Sequence, residues 1–193
     1  MKLVGEIVRL QIQIDGLKRG KRPYQTYSTD NIQVVSAMRL TAKGVVGLRN
    51  GVEQMDVHHV EHPNSGYRDG FGISLGFTAH YGRMRDRFGG HITEGCAGEN
   101  VIVATAVPLT LDELAAGLVI VTADGQTIGL ERPSIMLPCE PFSRFCLQAD
   151  DRPPALAMKE TLQFLDNGMR GFGVVLVEET AVIHPGDNLF LLD

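Results

Sequence analysis

Cysteine is scarce: three residues at wide spacing, an odd number, do not make a disulfide framework. That scarcity points to a reduced, cytoplasmic compartment. No stretch approaches the roughly 18 consecutive apolar residues of a membrane span. The first residues, Met1-Lys2-Leu3-Val4-Gly5-Glu6, place a glutamate where a signal peptide needs an unbroken apolar region. An excess of positive charge is also missing. The net charge of −5 argues against a broad nucleic-acid or acidic-membrane surface, while leaving room for local basic patches. There is no internal repeat, no low-complexity tract and no visible domain boundary. What remains is a chain of 193 residues, 44% apolar and 21% charged, expected to form one domain over 1–193 with an ordinary core.

Most of the chain reads as short strands between glycine and proline turns. Residues 3–14 alternate most clearly in Gln11-Ile12-Gln13-Ile14, the pattern of a half-buried strand, and Asp15-Gly16 breaks it. Further strands are expected at Ile32–Leu40, Val45–Leu48, Val101–Ala106, Leu118–Thr122, Gln126–Met136, Phe172–Val177 and Asn188–Leu192. Asp124-Gly125 is a hairpin signal, and His184-Pro185-Gly186-Asp187 is a turn. Apolar positions Ile73, Phe77, Tyr81, Met84 and Phe88 recur at near-helical spacing, which predicts a helix over 73–88. Its glycines, Gly76 and Gly82, weaken it and point to close packing. Leu111–Leu114 makes one helical turn, and a second helix starts at Pro153-Pro154 and stops at Asn167-Gly168. The expected fold class is mainly β with peripheral helices, a β-barrel-like core with helices on its outside or ends.

Polar chemistry is concentrated between His58 and Asn100. This stretch holds His58, His59, His62, His80 and His91, the arginines Arg83, Arg85 and Arg87, and Cys96. His58 and His62 stand at i and i+4, but Pro63 disfavours a helix there, so these imidazoles read as hydrogen-bonding or surface groups rather than a metal pair. The alternate arginines point in different directions on a helix and form no single patch. Gly98-Glu99-Asn100 places a carboxylate and an amide at a strand mouth, as a turn or as part of a site. Cys139 lies between Pro138 and Pro141 in a stiff loop after Arg132-Pro133, which should present its thiol. A nearby cation would favour the thiolate, the nucleophile and metal ligand. Cys146 reads as core and Cys96 as intermediate. The run Leu17-Lys18-Arg19-Gly20-Lys21-Arg22-Pro23 is a solvated loop tip or an arm for an anionic ligand.

Taken in order, His62-Pro63 to Gly66, His80-Tyr81, Gly98-Glu99-Asn100-Val101, Arg132-Pro133, Pro138-Cys139, Gly171-Phe172-Gly173-Val174 and Pro185-Gly186-Asp187 resemble a MOSC domain, named after the C-terminal part of molybdenum cofactor sulfurases. The resemblance covers roughly residues 40–190. It implies a β-barrel that handles the molybdenum cofactor (molybdopterin) or sulfur bound for it. The cysteine matching Cys139 would carry a persulfide or ligate molybdenum, and Gly98, Glu99 and Asn100 would lie beside the cofactor pocket with His62 and His80. Cofactor phosphate requires a cation; Arg132 is the first candidate, Arg170 the second, and the Lys18–Arg22 loop the third. The histidine-glycine-glycine common in the family stands here as His62-Pro63-Asn64-Ser65-Gly66, and a common Gly-Asp as Ala116-Gly117. The pyridoxal-phosphate desulfurase part of full sulfurases is absent from this sequence, so it should not extract sulfur from cysteine by itself. Three functions follow as expectations. The first is a molybdoenzyme reducing N-hydroxylated small substrates with an electron-transfer partner. The second is a non-catalytic sulfur or cofactor carrier for a partner molybdoenzyme, and the third a histidine-based metal hydrolase.

Overall fold

The structure, a computed structural model, describes residues 1–22, 24–149 and 153–192. Pro23, the end of the basic loop, lies outside them. The chain opens with β1 (Lys2–Gln13), a small hairpin of β2 (Lys18–Arg19) and β3 (Thr26–Tyr27), and then β4 (Ile32–Val35), β5 (Ala37–Thr41), β6 (Gly44–Arg49) and β7 (Val52–Met55). β8 (Ile73–Phe77) runs directly into α1 (Thr78–Phe88), and β9 (Val101–Val103) is followed by α2 (Leu111–Leu114) and β10 (Leu118–Val121). β11 (Thr127–Ile135), α3 (Glu140–Cys146), α4 (Ala155–Leu165), β12 (Phe172–Leu176), β13 (Thr180–Ile183) and β14 (Asn188–Leu191) complete it.

Seven strands close on themselves in the order β1-β14-β10-β11-β12-β8-β9, returning to β1. Closure removes the open edges that an eight-stranded sheet would otherwise leave. β1 makes it possible by its length: Lys2–Glu6 pair with β14, Ile7–Leu10 with β9, and Leu10–Gln13 with β4, which hangs outside the ring. A second sheet, β13-β5-β6-β7, stands beside the barrel. Inward residues such as Ile7, Leu10, Leu75, Phe77, Val101, Leu118, Ile120 and Leu189 fill the interior. A second apolar cluster packs α1, α3 and α4 together through Tyr81, Met84, Phe142, Cys146 and Leu165.

β8 and β9 are the parallel pair in an otherwise antiparallel ring. A parallel pair needs a crossover, and α1 with the loop 89–100 supplies it. The site loop is therefore a consequence of topology.

The helix predicted over 73–88 needs correcting. Residues 73–77 form β8, buried on both faces between β12 and β9, and the helix starts at Thr78. A short continuous apolar run does not distinguish a buried strand from a helix, and the four-residue spacing of Ile73 and Phe77 was accidental. Gly76 thus belongs to the strand, where close packing holds; Gly82 in α1 has nothing within 4 Å of where a Cβ would stand. The strand expected at Ile32–Leu40 is two strands in two sheets, divided at Ser36. Gln11 and Gln13, the polar half of the alternating strand, are 1% and 7% exposed. Their face of β1 is roofed by the site loop.

Candidate functional site around Cys139

β11 delivers the chain to Pro138 and Cys139, and Cys139 is the extended residue capping the start of α3. Pro141 is tolerated in that helix's first turn, where an N–H has no intrahelical partner to lose. The Cys139 carbonyl accepts from Ser143 N at 3.0 Å and from Ser143 Oγ at 3.1 Å, which fixes the cap. Its thiol is half-buried, whereas Cys146, at the far end of α3, and Cys96 are buried. Cys96, expected to be intermediate, is roofed by the helices. Burial pushes the Cys146 thiol up to about 12 and the Cys96 thiol higher still.

Arg170 comes to this thiol from the turn between α4 and β12. Its Nη1 donates to Leu137 O at 2.9 Å and lies 3.7 Å from Cys139 Sγ, while Nη2 donates to Ala97 O at 3.3 Å. The guanidinium carbon lies 4.7 Å from the centre of the Phe142 ring. A cation over an aromatic face is attracted by the ring's negative quadrupole. One side chain thus ties together the Cys139 loop, α3 and the crossover loop. It is 8% exposed, and its Nε has no hydrogen-bond partner in the structure.

Glu99, 1% exposed, lies within reach of this cation's charge without pairing with it directly. The Tyr81 hydroxyl donates to Oε2 and itself accepts from Ala97 N at 3.2 Å; Oε1 has no partner. Two glycines make the space: a Cβ on Gly76 or Gly171 would meet the Glu99 side chain at 3.0 Å. Burial raises the Glu99 pKa to about 7, against the opposing pull of the Tyr81 hydrogen bond and the Arg170 charge.

Tyr27 closes the other side. Its hydroxyl donates to Cys96 O at 2.9 Å, and its ring meets Phe142 edge-on with centroids 5.0 Å apart. Because Tyr27 belongs to β3, the basic hairpin is anchored beside Cys139. Within it Arg19 is taken by Asp30 at 2.9 Å.

The other sequence candidates are dispersed. Gly98 lies in the crossover loop with φ of +96°, and its carbonyl accepts from Gln13 Nε2 at 2.7 Å. Asn100 is saturated: Oδ1 accepts from Ser74 N and Oγ, and Nδ2 donates to Asp56 Oδ2 at 3.0 Å and Gln11 O at 3.4 Å. An amide with every position used has no capacity for a ligand, so Asn100 is a buried staple rather than a cofactor contact. Arg132, the first choice for phosphate, sits at a bulge of β11 with φ of +51° and reaches the exposed Asp69 at 3.5 Å. There it is exposed, and the cation beside Cys139 is Arg170 instead.

The histidines do not converge. His62 Nδ1 accepts from Asn64 N within its own turn, and His59 Nδ1 accepts from Glu61 N. His58 bonds Asp56, and His91 Nε2 meets the last carbonyls of α3, Phe145 O and Cys146 O. His80 is buried between Phe77 and Phe172 and bonds the Leu109 backbone; burial lowers its pKa although nearby carbonyls oppose. It is a core histidine, not a pocket residue.

No family model matches the chain, and no curated protein matches it in sequence. Solved structures do. The YuaD protein from Bacillus subtilis superposes with a TM-score of 0.57 at 13% identity, over 98% of this chain and 96% of that one. YiiM from Geobacillus stearothermophilus superposes with a TM-score of 0.56 at 16% identity, over 97% of this chain and 75% of that one. The fold is shared. At these identities the likeness concerns architecture, a mainly β protein with a seven-stranded barrel and a few helices.

Several residues of the site were not apparent in the sequence. Tyr27 stands isolated after a basic loop, and no local pattern links it to Phe142, more than a hundred positions away. Phe142, Phe145 and Cys146 did carry a signal: their i, i+3, i+4 spacing is that of a helix face, hidden by the reading of two prolines as a loop. Gln11, Gln13 and Asp56 hold the crossover loop from below. Gln11 Nε2 donates to Gly95 O at 2.7 Å and Glu99 O at 2.8 Å, and Asp56 Oδ2 accepts from Gln13 N at 2.7 Å.

Proposed function

We propose that this chain is a stand-alone protein of the MOSC type whose Cys139 ligates the molybdenum of a molybdenum cofactor or carries sulfur destined for one. The observation that carries this reading is the pairing of the half-exposed thiol with the Arg170 guanidinium at 3.7 Å. A fixed cation beside sulfur stabilises either a thiolate or a persulfide anion. The likeness in fold to YuaD and YiiM is consistent with it.

The residues fit such a group. A pterin-held metal asks the protein for one soft ligand rather than a cage, and Cys139 is a soft donor on a rigid loop. When bound, the cofactor would supply the redox chemistry. The chain's own part is to hold and orient. Arg170, locked by Leu137 O, Ala97 O and Phe142, keeps the sulfur in place and would compensate the charge of a metal-bound thiolate or a persulfide. Glu99 beneath it supplies the counter-charge, or a proton, according to pH. Arg170 Nε has no partner and would be open to a phosphate oxygen, with Lys18 and Lys21 of the hairpin that Tyr27 anchors as further cations. Reduction of an N-hydroxylated small substrate would further need an electron-donating partner; carriage of sulfur would not.

A histidine-based hydrolase draws no support. Among the described residues no group of three or more His, Cys, Asp or Glu side chains is arranged to hold a metal ion. The decisive measurement is the molybdenum, pterin and sulfane-sulfur content of wild type and Cys139→Ser, both made in a host that synthesises the cofactor. Wild type should retain molybdenum with pterin, or labile sulfur, and Cys139→Ser should lose it. Stoichiometric zinc retained in both proteins, with neither molybdenum nor labile sulfur, would sink the proposal. Turnover with an artificial electron donor then separates enzyme from carrier.

A further inference from the structure

A cavity of about 270 Å³ lies on the β13-β5-β6-β7 sheet, and none of its lining residues belongs to the site around Cys139. That is close to the small end of the range of ligand sites, about 300–1,000 Å³. Strand register builds its floor. Arg39 on β5 stands opposite Val46 on β6, and Val46 opposite Met55 on β7, so the three side chains form one row. Thr41 and Glu53, each two residues along its strand, share that face. Met38, Leu40 and Val45 take the opposite face, in the core.

One wall is the turn after β7, and it is fixed to the sheet. Val60 N donates to Lys43 O at 2.8 Å, and His59 N donates to Asp56 O at 2.9 Å. Gly44 permits the approach: a Cβ there, at φ of +118°, would stand 2.8 Å from His59 Cα. His59 is 4% exposed, and its Nδ1 accepts from Glu61 N at 3.1 Å, which leaves the ring hydrogen on Nε2. Burial lowers its pKa against the opposing charge of Glu61, so the ring stays neutral. Nε2 has no partner among the described residues, yet it is not sealed from solvent. The wall therefore holds one fixed, unused donor.

The charges around it balance. Arg39 pairs with Glu53, and Lys43 pairs with Glu61 at 2.5 Å. All four side chains are part-exposed and able to turn toward a ligand. A lone anion drawn to either cation would strand a carboxylate, and a lone cation would strand a positive group. A zwitterion inserted between the partners leaves every charge matched.

We propose that this cavity binds a free α-amino acid with an aliphatic or thioether side chain. Its carboxylate accepts from His59 Nε2 and from Arg39 or Lys43. Its ammonium donates to Glu53 or Glu61, and its side chain lies on Val46 and Met55. The site stands or falls independently of the cofactor reading.

L-leucine is the probe, titrated by calorimetry into the intact protein. Its two halves serve as controls: 4-methylpentanoate lacks the ammonium, and 3-methylbutylamine lacks the carboxylate. Leucine should bind at one site in the millimolar range or tighter, and each half should bind at least about tenfold more weakly. His59→Asn keeps an acceptor near the place of Nδ1 but has nothing at that of Nε2; it should weaken leucine by about tenfold. Glu53→Gln, at a half-exposed position, should weaken it by about fivefold without affecting the fold. Thermal melts check both variants. No binding of leucine to wild type overturns the proposal. Either half binding as tightly as leucine overturns the zwitterion, and leucine binding unchanged in folded Glu53→Gln and His59→Asn removes it from this cavity. If His59→Asn does not fold, unchanged binding in Glu53→Gln overturns the site on its own.

Discussion

Glu99 and Asn100 are adjacent in sequence but do different work. Asn100 spends all its hydrogen bonds on Ser74, Asp56 and Gln11. Asn100→Ala leaves buried donors and acceptors unpaired on three strands or loops, and each such group costs about 1–3 kcal/mol. The ligand-free variant should lose about 3 kcal/mol in urea unfolding. A loss below about 0.5 kcal/mol, the range of ordinary surface changes, would mean that the network is dispensable. The three thiols differ just as sharply. Cys139 should be alkylated well before Cys96 and Cys146, whose burial keeps them neutral. Arg170→Met keeps much of the side chain's bulk and removes the guanidinium beside the sulfur; Cys139 should remain the first thiol to react, because Cys96 and Cys146 stay buried. Peptide mapping after graded alkylation checks both statements, and Cys146 reacting first would misplace the centre.

Elements were legible where periodicity was long or turn chemistry explicit, and lost where a short run had to be assigned without its neighbours. β10 and β11 with their Asp124-Gly125 turn, and β12 and β14, stand within a few residues of where alternation and punctuation put them. β7 is exposed at all four positions, so no apolar face marked it, and β13 is defined mainly by pairing with β5. α3 hid behind Pro138 and Pro141, and β8 passed for the first turns of α1. Of the site, Cys139 and the conditional need for a cation were legible; that the cation is Arg170 rather than Arg132 depended on a turn 31 residues beyond Cys139. Two glycines test the resulting picture of the elements. Gly82 lies inside α1 with open space around its missing Cβ, so Gly82→Ala should stabilise by up to about 1 kcal/mol. Gly171 has φ of +97°, and a Cβ there would come within 2.3 Å of Leu75 O. Gly171→Ala must shift β12 against β8 and should destabilise by about 2–4 kcal/mol, with Arg170 displaced from its sulfur. Thermal melts of the two variants moving in the same direction would contradict the assignment of either glycine.

At the scale of the molecule, the barrel closes so that its parallel pair forces a crossover, and the crossover carries a carboxyl into the interior beside a buried arginine. That arrangement makes stability depend on pH. Burial raises the Glu99 pKa from 4.5 to about 7 in the folded protein. Below about pH 4.5 the carboxyl is protonated in folded and unfolded chains alike, and its contribution is fully present. Between pH 4.5 and 7 the folded protein holds a proton that the unfolded chain releases, so stability falls as pH rises. A displacement of this size corresponds to about 3 kcal/mol lost across the window. His80 works in the opposite sense. Burial lowers its pKa, so its contribution is present above the ordinary histidine value and is lost as pH falls through the folded one. The two are separated by comparison with Glu99→Gln, which retains an acceptor for the Tyr81 hydroxyl but cannot titrate. The difference in unfolding free energy between wild type and Glu99→Gln should be constant below pH 4.5. It should then shift by about 3 kcal/mol in favour of the variant by pH 7 and level off above it. A difference curve flat from pH 4 to 8 would mean that Glu99 ionises as an ordinary carboxylate. The counter-charge beneath Arg170 would then be permanent, with no proton for Glu99 to hold near neutrality.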